Sequence, residues 1–317
     1  METKTKLLRG RFYRPILPVL AGVLMGALAV YAIQYGNEQS KKETYSLLAK
    51  RVQIENPNEA IINFAGLRNN LTGYVDSLGE AGDEVSIYFE YLPTGVSINI
   101  NEKNESIAAS LMKLPVVMNL YKASELGKVD LDKKVALKKE WLNSEFGTLY
   151  KKGEGYEITV REAARLSLKD SDNTALLLIW DQLKIDQLPF DDDALNYLDV
   201  EYGIVEDGRA QIGARSYTSM LKCLYFSCYN NKMDSEEILT YLAESSFKDR
   251  LTKYLPEDLP VAHKIGTYNT RYQSDCGIVY LKDENYALCI MVEGEDPEAS
   301  SIIADLSRRT YLYLVGK

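Results

Sequence analysis

Ser110-Leu111-Met112-Lys113 sets a hydroxyl and an amine three residues apart, ahead of Ser171-Asp172-Asn173 and then Lys264-Ile265-Gly266-Thr267. On a helix, positions i and i+3 share a face, so Lys113 returns beside Ser110. A lysine that is buried and close to a second cation loses its proton readily and can then accept one from a serine. Ser110 is therefore the candidate nucleophile, Lys113 its base and Lys264 the neighbouring cation. His263 is the only histidine. A Ser-His-Asp relay or a multi-histidine metal site would depend on that one residue, which reads as a strand position. Nothing in the pattern calls for a metal or other cofactor.

Each short pattern has decoys. S-x-x-K recurs at Ser219 to Lys222 and at Ser245 to Lys248, and K-x-G recurs at Lys151-Lys152-Gly153. The first copy differs by its context. Leu114, Val116, Val117, Met118, Leu120 and Tyr121 follow it, a helix apolar on most sides and hence buried. Pro115 fits only a first helical turn, so the helix begins near Ser110. Ser171-Asp172-Asn173 also reads as a helix cap before Thr174-Ala175-Leu176-Leu177.

Taken together and in this order, the three elements resemble the set carried by class A β-lactamases and penicillin-binding proteins. The likeness runs from about Ile61 to the C-terminus. It includes the approach Ile158-Thr159-Val160-Arg161-Glu162 to the second element and a spacing of 61 positions between Ser110 and Ser171. It implies an α+β fold, an antiparallel sheet flanked by helices with an inserted helical lobe. It also implies an acyl-enzyme on Ser110. The first functional expectation is hydrolysis of β-lactam amides. The alternatives are a D,D-carboxypeptidase or transpeptidase acting on peptidoglycan stem peptides, and a non-catalytic domain that senses a β-lactam or wall fragment.

By the same resemblance, Ser171 relays a proton toward the leaving nitrogen, Asn173 holds the substrate amide carbonyl, and Lys264 supplies charge near Ser171 and the substrate carboxylate. Gly266 lets the strand approach the acyl group, and the N–H groups of Thr267 and Ser110 form an oxyanion hole. The chain departs from the family at two places. Ile265 stands where most members carry a carboxylate-binding Thr or Ser, leaving Thr267 or Arg271 to compensate. The deacylating E-x-x-L-N is absent. Asp192-Asp193-Ala194-Leu195-Asn196 mimics it with aspartate, and Glu206 or Asp207 is better placed relative to the helix over 216–225, with Glu206 the candidate carboxylate. Without a placed carboxylate an acyl-enzyme lingers.

Other elements position these groups. Apolar residues at helical spacing from Ile62 to Leu78 predict a first helix. Val85–Tyr91 with Val96–Ile100, and Gly277–Leu281 with Tyr286–Val292, predict two hairpins. Residues 297–315 predict a terminal helix. Strands at both ends with helices between them predict one antiparallel sheet assembled from distant segments.

Ahead of this domain, residues 15–34 include an uncharged apolar run, Pro15 to Ile33, about 28 Å long as a helix and close to the thickness of a bilayer core. Residues 1–14 carry Lys4, Lys6, Arg9, Arg11 and Arg14, which predicts a single-pass anchor with the N-terminus inside and the catalytic domain extracytoplasmic. Ala27-Leu28-Ala29 offers a signal-peptidase site as the rival reading. Residues 35–60 read as a polar stalk and 61–317 as the hydrolase domain. The chain has a net charge of −9, of which residues 1–14 contribute +4, leaving −13 on the rest. An acidic body offers no footprint for phosphate backbones, which excludes nucleic acid as a partner. Cys223, Cys228, Cys276 and Cys289 fall in apolar segments and are expected as small buried thiols, although export permits disulfides.

Overall fold

The computed structural model describes residues 22–31, 63–184, 194–206, 208–282 and 284–316, in two compact units, Met1–Ile62 and Asn63–Lys317. In the first unit, residues 22–31 form helix α1 with every residue exposed. Among the described residues, no helix is long and apolar enough to cross a membrane. The rest of the span expected over 15–34, the basic segment 1–14 and the stalk over 35–60 lie outside them.

The second unit begins with α2 (Ala65–Ser77), the hairpin β1 (Val85–Tyr91) and β2 (Val96–Ile100), and the short β3 (Glu105–Ile107). A 3-10 turn (Ala109–Met112) runs straight into α3 (Lys113–Glu125). The helical lobe follows: β4 (Lys134–Ala136) paired with β5 (Glu157–Thr159), α4 (Val160–Lys169), α5 (Asn173–Leu183) and the one-turn α6 (Ala194–Tyr197). Then come β6 (Gly203–Ile204), β7 (Ala210–Gly213), α7 (Ala214–Tyr225) and α8 (Lys232–Ala243). The chain closes with β8 (Val261–Tyr268), β9 (Tyr272–Val279), β10 (Tyr286–Glu293) and α9 (Glu298–Val315).

Five strands form one antiparallel sheet in the order β2-β1-β10-β9-β8, so the two ends of the domain meet where β1 pairs with β10. The pairing Tyr91↔Val96 closes the first expected hairpin. β9 begins five residues earlier than its apolar stretch, at Tyr272, because Gln273, Ser274 and Asp275 are polar yet buried. The sheet is covered on both faces, with α9 packed on β9 and β10, and α7 on β1, β9 and β10. Strand alternation divides β10 accordingly. Ala287, Cys289 and Met291 join the core under the helical lobe, while Tyr286, Leu288, Ile290 and Val292 turn to the other side.

Helix α3 lies in the middle of that lobe core, and Lys113 to Tyr121 are buried without a break. Each fully buried Leu, Val or Met there contributes about 1.5–3 kcal/mol. The α-helix proper starts at Lys113 rather than Ser110, with Pro115 in its first turn. The tighter 3-10 turn before it carries the serine.

The cysteines correct the expectation of free thiols. Cys276 and Cys289 are directly opposed on β9 and β10 and form a disulfide, and Cys223 pairs with Cys228 across the C-terminal end of α7. Apolar surroundings suit a thiol and a disulfide equally. Strand register and helix termination bring the sulfurs together.

Candidate active site

Ser110 is partly exposed at the second position of the 3-10 turn. The residue before it, Ala109, has φ of +46°, a left-handed backbone that costs a non-glycine residue of order 1 kcal/mol. The turn is clamped from two sides. The Ala108 N–H donates to Ala210 O at 2.9 Å, and Gly266 packs so closely beneath that a Cβ there would lie 2.9 Å from Ala108 O and 2.4 Å from Ser274 Oγ. Gly266 is thus needed for strand β8 to dock against the turn that carries the serine.

The second element approaches from the α4–α5 junction. Ser171 is fully buried with φ of +54°. Asp172 caps α5 by accepting from Ala175 N at 2.9 Å, and its other oxygen accepts from Leu149 N at 2.8 Å. Two lysines converge on the Ser171 hydroxyl: Lys113 Nζ and Lys264 Nζ each lie 3.0 Å from its Oγ. Lys113 also donates to Ser171 O and, at 2.7 Å, to Asn173 Oδ1, while Lys264 donates to Ile265 O at 3.2 Å.

Burial dominates the electrostatics. It pulls the Lys113 amine down to about 7, with Asp172 and Glu145 acting against the fall. Lys264 is held well below the ordinary lysine range by burial first, then by the charges of Lys113 and Arg250, with Asp275 opposing them. A charged Lys113 spends its three hydrogens on three oxygens; losing one proton frees a lone pair to act as an acceptor. The amine is therefore poised between two forms near neutrality.

A loop over residues 142–149 completes this side, and no motif signalled it. Asn173 Nδ2 donates to Asn143 Oδ1 at 3.2 Å, and Asn143 N donates to Thr174 Oγ1 at 3.0 Å. Gly147 has φ of +84°, and a Cβ there would meet the Asp172 carboxylate at 2.0 Å, so the loop closes over Asp172 only with glycine.

Arg250 was also missed. The residue is 4% exposed, and its guanidinium reaches five acceptors: Ser300 Oγ (3.2 Å), Gly266 O (2.9 Å), Ser274 O (2.9 Å), Thr267 Oγ1 (2.8 Å) and Gln273 Oε1 (2.6 Å). These partners lie 16 to 50 positions away, so no local pattern could mark the arginine. The Thr267 hydroxyl is occupied by Arg250 and by donation to Gln273 Oε1 at 3.2 Å. Arg271 is held by Glu293 at 2.8 Å, with its side chain 61% exposed. Ile265 is buried opposite Asp275, on the face of β8 turned away from Lys264. His263 shares that face, and its Nδ1–H donates to the buried Asp275 carboxylate at 2.8 Å.

Glu206 is exposed on the turn between β6 and β7 and, among the described residues, makes no hydrogen bond to Ser110 or Lys113. Asp207, Asp192 and Asp193 lie outside the described residues, and Ala194 and Leu195 are buried in α6. Beside the serine turn opens a cleft of about 420 Å³ lined by Ala109, Met112, Trp180, Arg209 and Tyr268, among others; none of its described lining residues is acidic. The Arg209 guanidinium stacks on the Tyr268 ring at 3.8 Å. The sequence decoys have structural uses elsewhere: Lys222 pairs with Glu90 at 2.8 Å, and Lys152 rests over the ring of Tyr156.

An α+β sheet domain with a turn-borne serine and two buried lysines that share a second serine hydroxyl has the make-up of a serine hydrolase. The chain belongs to the beta-lactamase enzyme family, whose family model matches residues 67–314. No curated protein matches it. Among solved structures it is similar to PBP-A, at 22% identity over 78% of this chain and 97% of that one with a TM-score of 0.69. A variant of PBP-A solved as an acyl-enzyme complex with penicillin G matches to the same extent. The beta-lactamase from Sphaerobacter thermophilus matches at 18% identity, over 81% of this chain and 99% of that one, with a TM-score of 0.72. These likenesses bear on the fold.

Proposed function

We propose that this chain is a membrane-anchored, extracytoplasmic serine hydrolase that opens β-lactam amides through an acyl-enzyme on Ser110. The observation that carries the reading is the Ser171 hydroxyl shared by Lys113 and Lys264 at 3.0 Å each. Neutral Lys113 takes the Ser110 proton as Oγ attacks the amide carbonyl, and the carbonyl oxygen charge falls to the N–H groups of Ser110 and Thr267. The C–N bond breaks, and the proton passes from Lys113 through the Ser171 hydroxyl to the departing nitrogen. Lys264 makes that relay favourable by its charge, and Asn173 holds the substrate's side-chain amide. Water then attacks the ester, releasing the acid and restoring Ser110. A PBP-A variant in the same fold is known as a penicillin G acyl-enzyme, which supports this substrate class. The anchor rests on the uncharged run ahead of the domain and its basic flank.

A second reading, a D,D-peptidase acting on peptidoglycan stem peptides, is favoured by one observation. Glu206 points to solvent, and the described walls of the cleft beside Ser110 carry an arginine but no carboxylate to activate water. Intact-mass measurements of the full chain with penicillin G, beside Ser110→Ala, separate the two. A transient adduct with product accumulating supports β-lactam hydrolysis, a persistent adduct supports the peptidase, and an adduct on Ser110→Ala refutes both.

A further inference from the structure

We propose that Arg250 is a positioning residue for the oxyanion site: it grips the Gly266–Thr267 peptide by its carbonyl oxygen and so aims the Thr267 N–H into the cleft. The proposal rests on the acylation reading above and adds to it a group that never touches substrate.

Gly266 C=O and Thr267 N–H belong to one planar trans peptide, so they point in opposite directions. The carbonyl faces inward, where it accepts from Arg250 Nη1 at 2.9 Å and from Ser274 Oγ of β9 at 3.3 Å. The N–H therefore faces outward, and outward from β8 is the open edge of the five-stranded sheet. A guanidinium on the carbonyl oxygen is a charge-assisted hydrogen bond, and in a buried setting it polarises the amide and strengthens its N–H as a donor. The same guanidinium also holds Ser274 O and Gln273 Oε1 on β9, Thr267 Oγ1 on β8 and Ser300 Oγ on α9. The peptide is thereby tied to three elements and cannot rotate during the reaction.

The count of donors separates this role from substrate binding. Arginine has five N–H donors, and all five are spent on these acceptors. A substrate carboxylate would have to break one of those bonds to be held.

The test uses the full chain in detergent, with rapid-quench acylation by penicillin G and titration with an arylboronic acid, whose tetrahedral Ser110 adduct places an oxygen in the oxyanion site. Arg250→Lys keeps the charge but not the five bonds. The limiting acylation rate is expected to fall about ten-fold and boronate affinity by the same factor, less than for outright loss of an oxyanion donor. Penicillin half-saturation should stay within about two-fold, since ground-state binding is not the interaction removed. A wild-type limiting rate in Arg250→Lys overturns the proposal, as does a raised half-saturation with the limiting rate kept, which would make Arg250 a carboxylate anchor. If Arg250→Lys does not fold, Ser274→Ala removes the other donor to Gly266 O; a two- to three-fold slower acylation supports the proposal and an unchanged rate overturns it. A wild-type chain that takes up neither penicillin nor boronate defeats the acylation reading itself, a result distinct from a variant that matches an active wild type.

Discussion

Lys264 Nζ lies 3.0 Å from Ser171 Oγ, although 93 positions separate the two residues and each is buried to within 1% of complete. The contact joins the edge strand of the sheet to the α4–α5 junction, and it puts a second amine on the hydroxyl already held by Lys113. Burial strips water from both amines and disfavours their charged forms, and the pH behaviour of the enzyme follows from that.

Acylation should depend on pH through Lys113. Its amine is pulled down to about 7 by burial, so the base form is scarce below that pH and dominant above it. The limiting acylation rate should rise about ten-fold per pH unit below about 7 and level off above it. A rate flat from pH 5 to 9 in stopped-flow acylation would remove Lys113 as the base.

Asp172→Asn should move that limb to lower pH. Asp172 opposes the fall in the Lys113 value, so neutralising it stabilises the uncharged amine further. Asparagine is as good a helix cap as aspartate, so α5 keeps its start, while the charge and the acceptor for the Leu149 N–H are lost. An upward shift of the profile with a folded variant contradicts the assignment.

Gly266→Ala should destabilise the domain by about 1–3 kcal/mol and slow acylation together. The added methyl would press on the backbone oxygen of Ala108, which sits in the clamped turn before Ser110 and cannot swing away as a side chain could. Thermal unfolding and acylation measured side by side check this, and a variant as stable and as fast as wild type rejects the clamp.

Disulfide content is directly measurable. The oxidised chain should be lighter than the reduced one by four hydrogens, and peptide mapping should pair Cys223 with Cys228 and Cys276 with Cys289. Replacing each pair by serine should cost about 2 kcal/mol for the shorter loop and about 3 kcal/mol for the longer. Reactivity of all four thiols toward iodoacetamide in the unreduced, denatured chain rules out both bonds.

The candidate site and the family were legible in short sequence elements because those depend on local order. The cap at Asp172, the small residue at Gly266 and the apolar runs of β1 and β10 are each written within about ten residues. Context set the first S-x-x-K apart from its copies, and it does open a run that is buried without a break. Three-dimensional packing decided the rest. It replaced the expected i+3 contact with bonds from Lys113 to Ser171 and Asn173, paired the four cysteines, brought Asn143 to Asn173, and put Arg250 rather than Arg271 behind Thr267. A guanidinium held by acceptors 16 to 50 positions away leaves no trace in its own neighbourhood. Residue type sets what a group can do, whereas its partners, its burial and thus its charge exist only once distant segments share one interior.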